Sequence, residues 1–307
     1  MRRYFWKRLG LLSCLLGVAP ASASAQQSQE LLVGKAVRLD SEGKLLSWME
    51  PQETAYARTA LSAWRFLNTR VPTEANGLKT YFTYPGFSPV SQAPFQWLHH
   101  PAGLNAMLLE TSLGIYAYTG DRTALELPRS LMDYQLANGM TKTGWPWSNV
   151  PYSSSMPGAT EYSGGDDEWA CENNAPCGRG DGLEVIEPDK VGESGVAYLK
   201  LFQMTGDNRY RDTAIACADA LAKNVRPGDE EKSPWPMRVH ARTGVVREDY
   251  GANVIAPIEL FDELIHLQLG DWRTYAQARK VAWDWMMRFP MRNNHWSDLS
   301  FIGCSDW

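Results

Sequence analysis

Past its first two dozen residues the chain has no apolar run approaching the roughly 20 residues that span a bilayer. It also lacks a Gly-rich phosphate loop, a nucleophile elbow and a His pair at zinc spacing, which sets aside the chemistries those motifs carry. Positive charge is in deficit: 30 Lys and Arg face 35 Asp and Glu, for a net charge of −5. Nucleic-acid binding is driven by basic surface, so it is excluded as a function class. Cysteine is scarce, five in 307 residues. Cys171 and Cys177 flank a short polar loop, where a local disulfide would suit an oxidising compartment. Zinc is the rival reading, although no His accompanies them. Cys217 takes an apolar position in a helical segment and reads as a small buried hydrophobe.

The N-terminus has the layout of a secretory signal peptide over residues 1–25. Arg2, Arg3, Lys7 and Arg8 precede the apolar run Leu9 to Ala19, and Ala23-Ser24-Ala25 offers a small-residue cleavage site. Leu11-Leu12-Ser13-Cys14 faintly resembles a lipoprotein box, but the apolar run continues past Cys14. The expectation is a secreted or periplasmic protein with no membrane attachment after cleavage. Losing those four cations takes the net charge from −5 to about −9.

What is present is a repeat. Thr119-Gly120-Asp121, Thr205-Gly206-Asp207 and Leu269-Gly270-Asp271 each sit between helical segments. Six positions before each Asp stand Ile115, Leu201 and Ile265; eleven after stand Met132, Ala218 and Ala282. Gly tolerates the left-handed conformation that ends one helix, and Asp caps the next. The helices expected are Glu53 to Arg70, Pro101 to Tyr118, Asp121 to Ala137, Asp189 to Met204, Asn208 to Val225, Gly251 to Leu269 and Trp272 to Phe289. Pro128 should break or kink the third near Leu127. The fold class is therefore all-α, antiparallel helical hairpins, with residues 26–307 as a single domain. The Val245-Val246 stretch reads as a short β-hairpin. Long inserts between repeated units are where a binding site is usually built.

Hairpins joined by a Gly-Asp turn, with aromatic and acidic loops, resemble the six-hairpin (α/α) toroid superfamily of glycan-processing proteins. Ser233-Pro234-Trp235-Pro236-Met237-Arg238-Val239, Thr243-Gly244, Asn253-Val254-Ile255 and Leu260-Phe261-Asp262-Glu263-Leu264 are also similar to a group of secreted bacterial proteins without an assigned activity. The superfamily includes glycoside hydrolases, polysaccharide lyases and sugar epimerases, so the resemblance implies a glycan as partner. A closed ring of that kind needs about twelve helices and this chain offers seven, which implies an incomplete arc or a chain truncated at its C-terminus.

The 138–189 insert carries Trp145, Trp147, Tyr152, Tyr162, Asp166, Asp167, Glu168, Trp169, Asp181, Glu184, Glu187 and Asp189. Aromatic faces stack on sugar C–H surfaces, and a glycosidase needs two carboxylates flanking the scissile bond. Asp166, Asp167, Asp181 and Glu184 are the candidate catalytic acids, with Trp145, Trp147, Trp169 and Trp235 as substrate-binding aromatics. The blander readings are a solvated acidic loop, a calcium site, or helix capping by Asp189 and Glu193. The second insert adds Arg238, His240, Arg242, Asp249 and Tyr250. Arg238 beside the proton carriers His240 and Tyr250 suits a uronate and β-elimination. The alternative there is a β-hairpin whose Arg side chains pair with nearby acids, favoured for Arg242. His99-His100 could line the same cleft or simply pack at a helix start. No metal or cofactor is expected. Glycoside hydrolysis is the leading expectation, with uronate-specific lyase chemistry second and a non-catalytic glycan-binding scaffold third.

Overall fold

A computed structural model describes residues 41–43, 52–71, 73, 79, 100–156, 159–165, 168–170, 176–179, 182–249 and 254–293. The chain divides into two compact units, Met1–Thr69 and Arg70–Trp307. In the first, the main described element is helix α1 (Gln52–Arg70), with Ala57, Leu61, Trp64 and Leu67 all half-buried.

The second unit holds three antiparallel hairpins, formed by α2 (Pro101–Thr119) with α3 (Glu126–Asn138), α4 (Pro188–Thr205) with α5 (Asn208–Lys223), and α6 (Ile255–Leu267) with α7 (Trp272–Arg288). The one-turn helix α8 (Pro290–Asn293) follows. The pivots work as their chemistry requires. Gly120 and Gly206 both have φ of 72° and end their helices. Asp121 and Asp207 then accept from the backbone N–H of Thr123 and Arg209. The preceding Thr119 and Thr205 turn their hydroxyls back onto Ile115 and Leu201 carbonyls and accept from the Asp amide. The third pivot lacks that Thr and uses a left-handed Gln268 before Gly270, with Asp271 capping Thr274.

The hairpins stack in two layers. Helices α2, α4 and α6 lie side by side, and α3, α5 and α7 back them. Approach between the first three is close because of glycine. A Cβ on Gly192 would meet the Pro257 nitrogen at 2.5 Å, and one on Gly195 would meet Leu260 at 2.4 Å. The backing helices are laced by phenols: Tyr210 Oη donates to Asp133 at 2.6 Å, and Tyr275 Oη donates to Asp219. Each acceptor lies twelve residues after its pivot Asp, a periodic feature of the repeat. The core between the layers includes Leu109, Met132, Tyr198, Leu201, Cys217, Leu221, Phe261 and Leu264. Cys217 is a buried free thiol, as its position in the helix predicts.

Two expectations need correction. Pro128 does not interrupt a helix: residues Arg122–Leu125 form a 3₁₀ turn and the α-helix starts only at Glu126. Pro128 thus falls in the first turn, where no backbone N–H is required. The inserts are also richer in strand than expected. They contain β1 (Gly164–Gly165), β2 (Glu168–Ala170), β3 (Pro176–Arg179), β4 (Gly182–Leu183), β5 (Val185–Ile186), β6 (Arg238–His240) and β7 (Val246–Glu248). The expected hairpin around Val245-Val246 is β6–β7.

Candidate active site

The two inserts that the sequence presents as separate candidate sites are one structure. Val185 pairs with His240 and Ile186 with Val239, forming the sheet β5-β6-β7. The Ala241 amide donates to the Glu184 carbonyl at 2.7 Å, and the Trp147 amide to the Ala241 carbonyl at 3.2 Å. This joint rim sits where three helix N-termini meet. Ser194 of α4 bonds the Ala102 carbonyl at the start of α2, and Gly192 lies against Ala256 and Pro257 at the start of α6. Converging N-termini bring partial positive charge, a setting that favours acids.

The acids at the start of α4 surround a cation. Glu187 and Asp189 are both 4% exposed. Lys190 Nζ lies 3.3 Å from Asp189 and 3.3 Å from Glu193. Burial works against the Lys190 charge, but Asp189, Glu193 and Glu187 outweigh it and raise its pKa. The expected capping by Asp189 is of a limited kind: the N-cap is Glu187, and Asp189 Oδ1 accepts from the next amide, Lys190. Arg238 reaches into this cluster, with Nε 2.8 Å from Glu187 and Nη1 2.9 Å from Glu248. Its guanidinium thus joins an ion-pair network with Glu187 and Glu248.

A second group gathers around Glu184. Glu184, held at φ 57°, receives Arg242 through Nε at 2.9 Å and Nη2 at 3.1 Å. His240 Nε2 stands 3.7 Å from Glu184 Oε2, while its buried Nδ1 has no hydrogen-bond partner among the described residues. Arg238 and His240 share a face of β6, with Val239 buried between them. Tyr152 is close by: burial and then the charge of Glu184 push its phenol up to about 12. Trp145 is half-buried, with Arg242 Cζ 5.5 Å and Lys142 Nζ 5.9 Å from its ring centre.

Of the candidate aromatics, Trp145 is at the rim and two others are not. Trp147 is 2% exposed and Trp235 1% exposed, so both are core anchors. The Trp235 indole donates to the Leu221 carbonyl at 2.9 Å, satisfying its one polar atom inside. Trp169 lies in β2 with its side chain outside the description. Asp166, Asp167, Asp181, Tyr250, His99 and Cys171 also lie outside the described residues. The strands flanking the first three acids are described, and they pair: Gly165 with Gly182, and Glu168 with Arg179. Among the described residues no group of three or more His, Cys, Asp or Glu is placed to hold a metal ion. No described helix is long and apolar enough to cross a membrane.

Sequence reasoning passed over Lys190 and Lys142. Lys190 follows Asp189 and precedes Glu193 at one-turn spacing, and that signal was readable. Lys142 carries no sequence signal.

No family model matches the chain, and no curated protein does. Among solved structures, a GH76 α-mannanase from Bacteroides thetaiotaomicron matches with a TM-score of 0.51 at 11% identity, over 77% of this chain and 56% of that one. A cellobiose 2-epimerase from Spirochaeta thermophila matches with a TM-score of 0.48 at 19% identity, over 75% of this chain and 54% of that one. The chain spans about half the length of these structures. Its three stacked hairpins, capped alike and carrying their inserts on one rim, have the fold of the six-hairpin (α/α) toroid proteins.

Proposed function

We propose that this protein is a secreted glycoside hydrolase acting on a polysaccharide or oligosaccharide, with its site on the joint rim of the two inserts. The observation that carries the reading is the β5–β6 pairing, which sets Glu184 beside His240. It puts carboxylate, imidazole and the Trp145 surface within one small area. Glycosidic hydrolysis needs a carboxyl to protonate the leaving oxygen and a second to activate water or attack the sugar. Glu184 takes one role. The second carboxylate comes from Asp166, Asp167 or Asp181, whose flanking strands pair next to Glu184 in the chain. Arg242 holds Glu184 in position, and His240 stands beside it. The solved mannanase of like fold adds support for glycan chemistry and nothing about the bond cleaved.

Uronate elimination is the weaker reading. It asked Arg238 to neutralise the substrate carboxylate, and Arg238 is engaged by Glu187 and Glu248. The assay is a polysaccharide panel. Hydrolysis releases reducing ends without ultraviolet absorbance, elimination releases both, and a binding scaffold releases neither while retaining glycan. Glu184→Gln is expected to lower turnover by about 10²–10⁴-fold with folding retained, and Asp167→Asn to do likewise. Tyr250→Phe is expected to turn over like the parent. If Tyr250→Phe alone abolishes activity, the lyase reading replaces this one.

A further inference from the structure

Trp145 stands on an unusually well-tied turn. Thr141 Oγ1 donates to the Trp147 carbonyl at 2.6 Å and accepts from the Val150 amide at 3.0 Å. Thr143 Oγ1 reaches Asn149 at 2.8 Å, the Gly144 amide reaches Ser148 Oγ at 3.1 Å, and Asn224, the C-cap of α5, donates to the Pro146 carbonyl at 3.1 Å. Trp147, buried two residues on, anchors the turn from below. An aromatic held this way loses little entropy on binding a ligand. Two cations attend it, on different elements. Lys142 is exposed and enters no ion pair among the described residues. The Arg242 side chain is 55% exposed, and its bonds to Glu184 use only Nε and Nη2. An exposed cation–π contact contributes only about 0.5–1 kcal/mol, so a carboxylate arriving over the ring can take over either cation.

We propose that Trp145, Lys142 and Arg242 form a subsite for a sugar bearing an anionic substituent, a uronate carboxylate in the first instance, beside the bond that is cleaved. The inference rests on the rim being a glycan site and adds the class of substrate. Arg238 is occupied, so the anion is read next to the reacting sugar and not upon it.

The test is calorimetry on the full chain with an oligouronate and the same oligosaccharide after carboxyl reduction. The parent is expected to bind the acidic form about three- to tenfold tighter at low salt, with the preference fading at high salt. Lys142→Gln should lose most of that preference while binding the reduced form unchanged. Trp145→Ala should weaken binding of both. Inorganic phosphate should compete with the acidic form alone. Equal binding of the two by the parent, or an undiminished preference in Lys142→Gln, overturns the subsite. Cleavage of neutral glycans with equal binding leaves the hydrolase and removes only the subsite. A preference for the acidic form in a chain that cleaves nothing does the reverse.

Discussion

At the scale of single residues, Tyr152 makes a direct pH prediction. Its phenol is pushed up to about 12, against about 10 in an unfolded chain, by burial and by Glu184. A raised pKa in the folded state means its contribution is complete below pH 10. It is lost as pH climbs toward 12, because the unfolded chain releases a proton that the folded one keeps. Thermal melts from pH 8 to 12 should show stability falling across that window, and Tyr152→Phe should flatten the fall. Tyr198, Tyr210 and Tyr275 are also raised, chiefly by burial, so the decline does not vanish. Identical curves for parent and variant would take Tyr152 out of the titration. Residue-level chemistry was readable where it is local. The Gly and Asp of each pivot carry their conformation with them, and Cys217 was placed by helical period. Trp147 and Trp235 were not readable, because both sit in inserts and nothing nearby shows that each points inward. What decides Trp235 is the Leu221 carbonyl, an acceptor fourteen residues away.

Elements were legible in proportion to their length. The long helices announce themselves by apolar spacing, and their ends agree to within four residues apart from α3, which starts at Glu126 and not at Asp121. Strands of two to four residues show no periodicity, and their partners are distant, so only the β6–β7 hairpin was visible beforehand. Close approach of α4 to α6 depends on Gly195, which leads to a paired prediction. Gly195→Ala drives a methyl into Leu260 and should cost about 1–3 kcal/mol in urea unfolding. Gly114→Ala, in α2 with nothing within 4 Å of the added atom, should instead stabilise by about 0.5–1 kcal/mol. Equal effects of the two changes would mean that packing at Gly195 is slack. The phenol lacing between α5 and α7 is testable separately. Tyr275→Phe keeps the ring stack on Phe261 and removes only the bond to Asp219. A hydrogen bond to a charged acceptor contributes about 1.5–3 kcal/mol, and the variant should lose an amount of that order. A melt indistinguishable from the parent would show that water replaces the phenol without penalty.

Over the whole molecule, three stacked hairpins were legible and the unity of the site was not. The sequence shows two inserts, and only the fold shows that β5 of the first joins the β6–β7 hairpin of the second in a common sheet. This has a consequence for the order in which structure forms. Glu187 and Arg238 are 51 residues apart along the chain, a separation that makes closure slow for an unstructured segment. Helices α4 and α5 run out and return, so once that hairpin has formed the two strand segments already lie near each other. The rim should therefore assemble after the α4–α5 hairpin and open before it. Hydrogen exchange followed residue by residue should find amides of β5 and β6 exchanging through a smaller opening than those of Tyr198 and Leu199. Protection of β5 and β6 matching that of α4 would mean that site and scaffold unfold as one unit. If the rim does open first, the residues proposed for chemistry belong to the least stable cooperative layer of the protein. Mild denaturant would then dismantle the proposed site while leaving the helices standing.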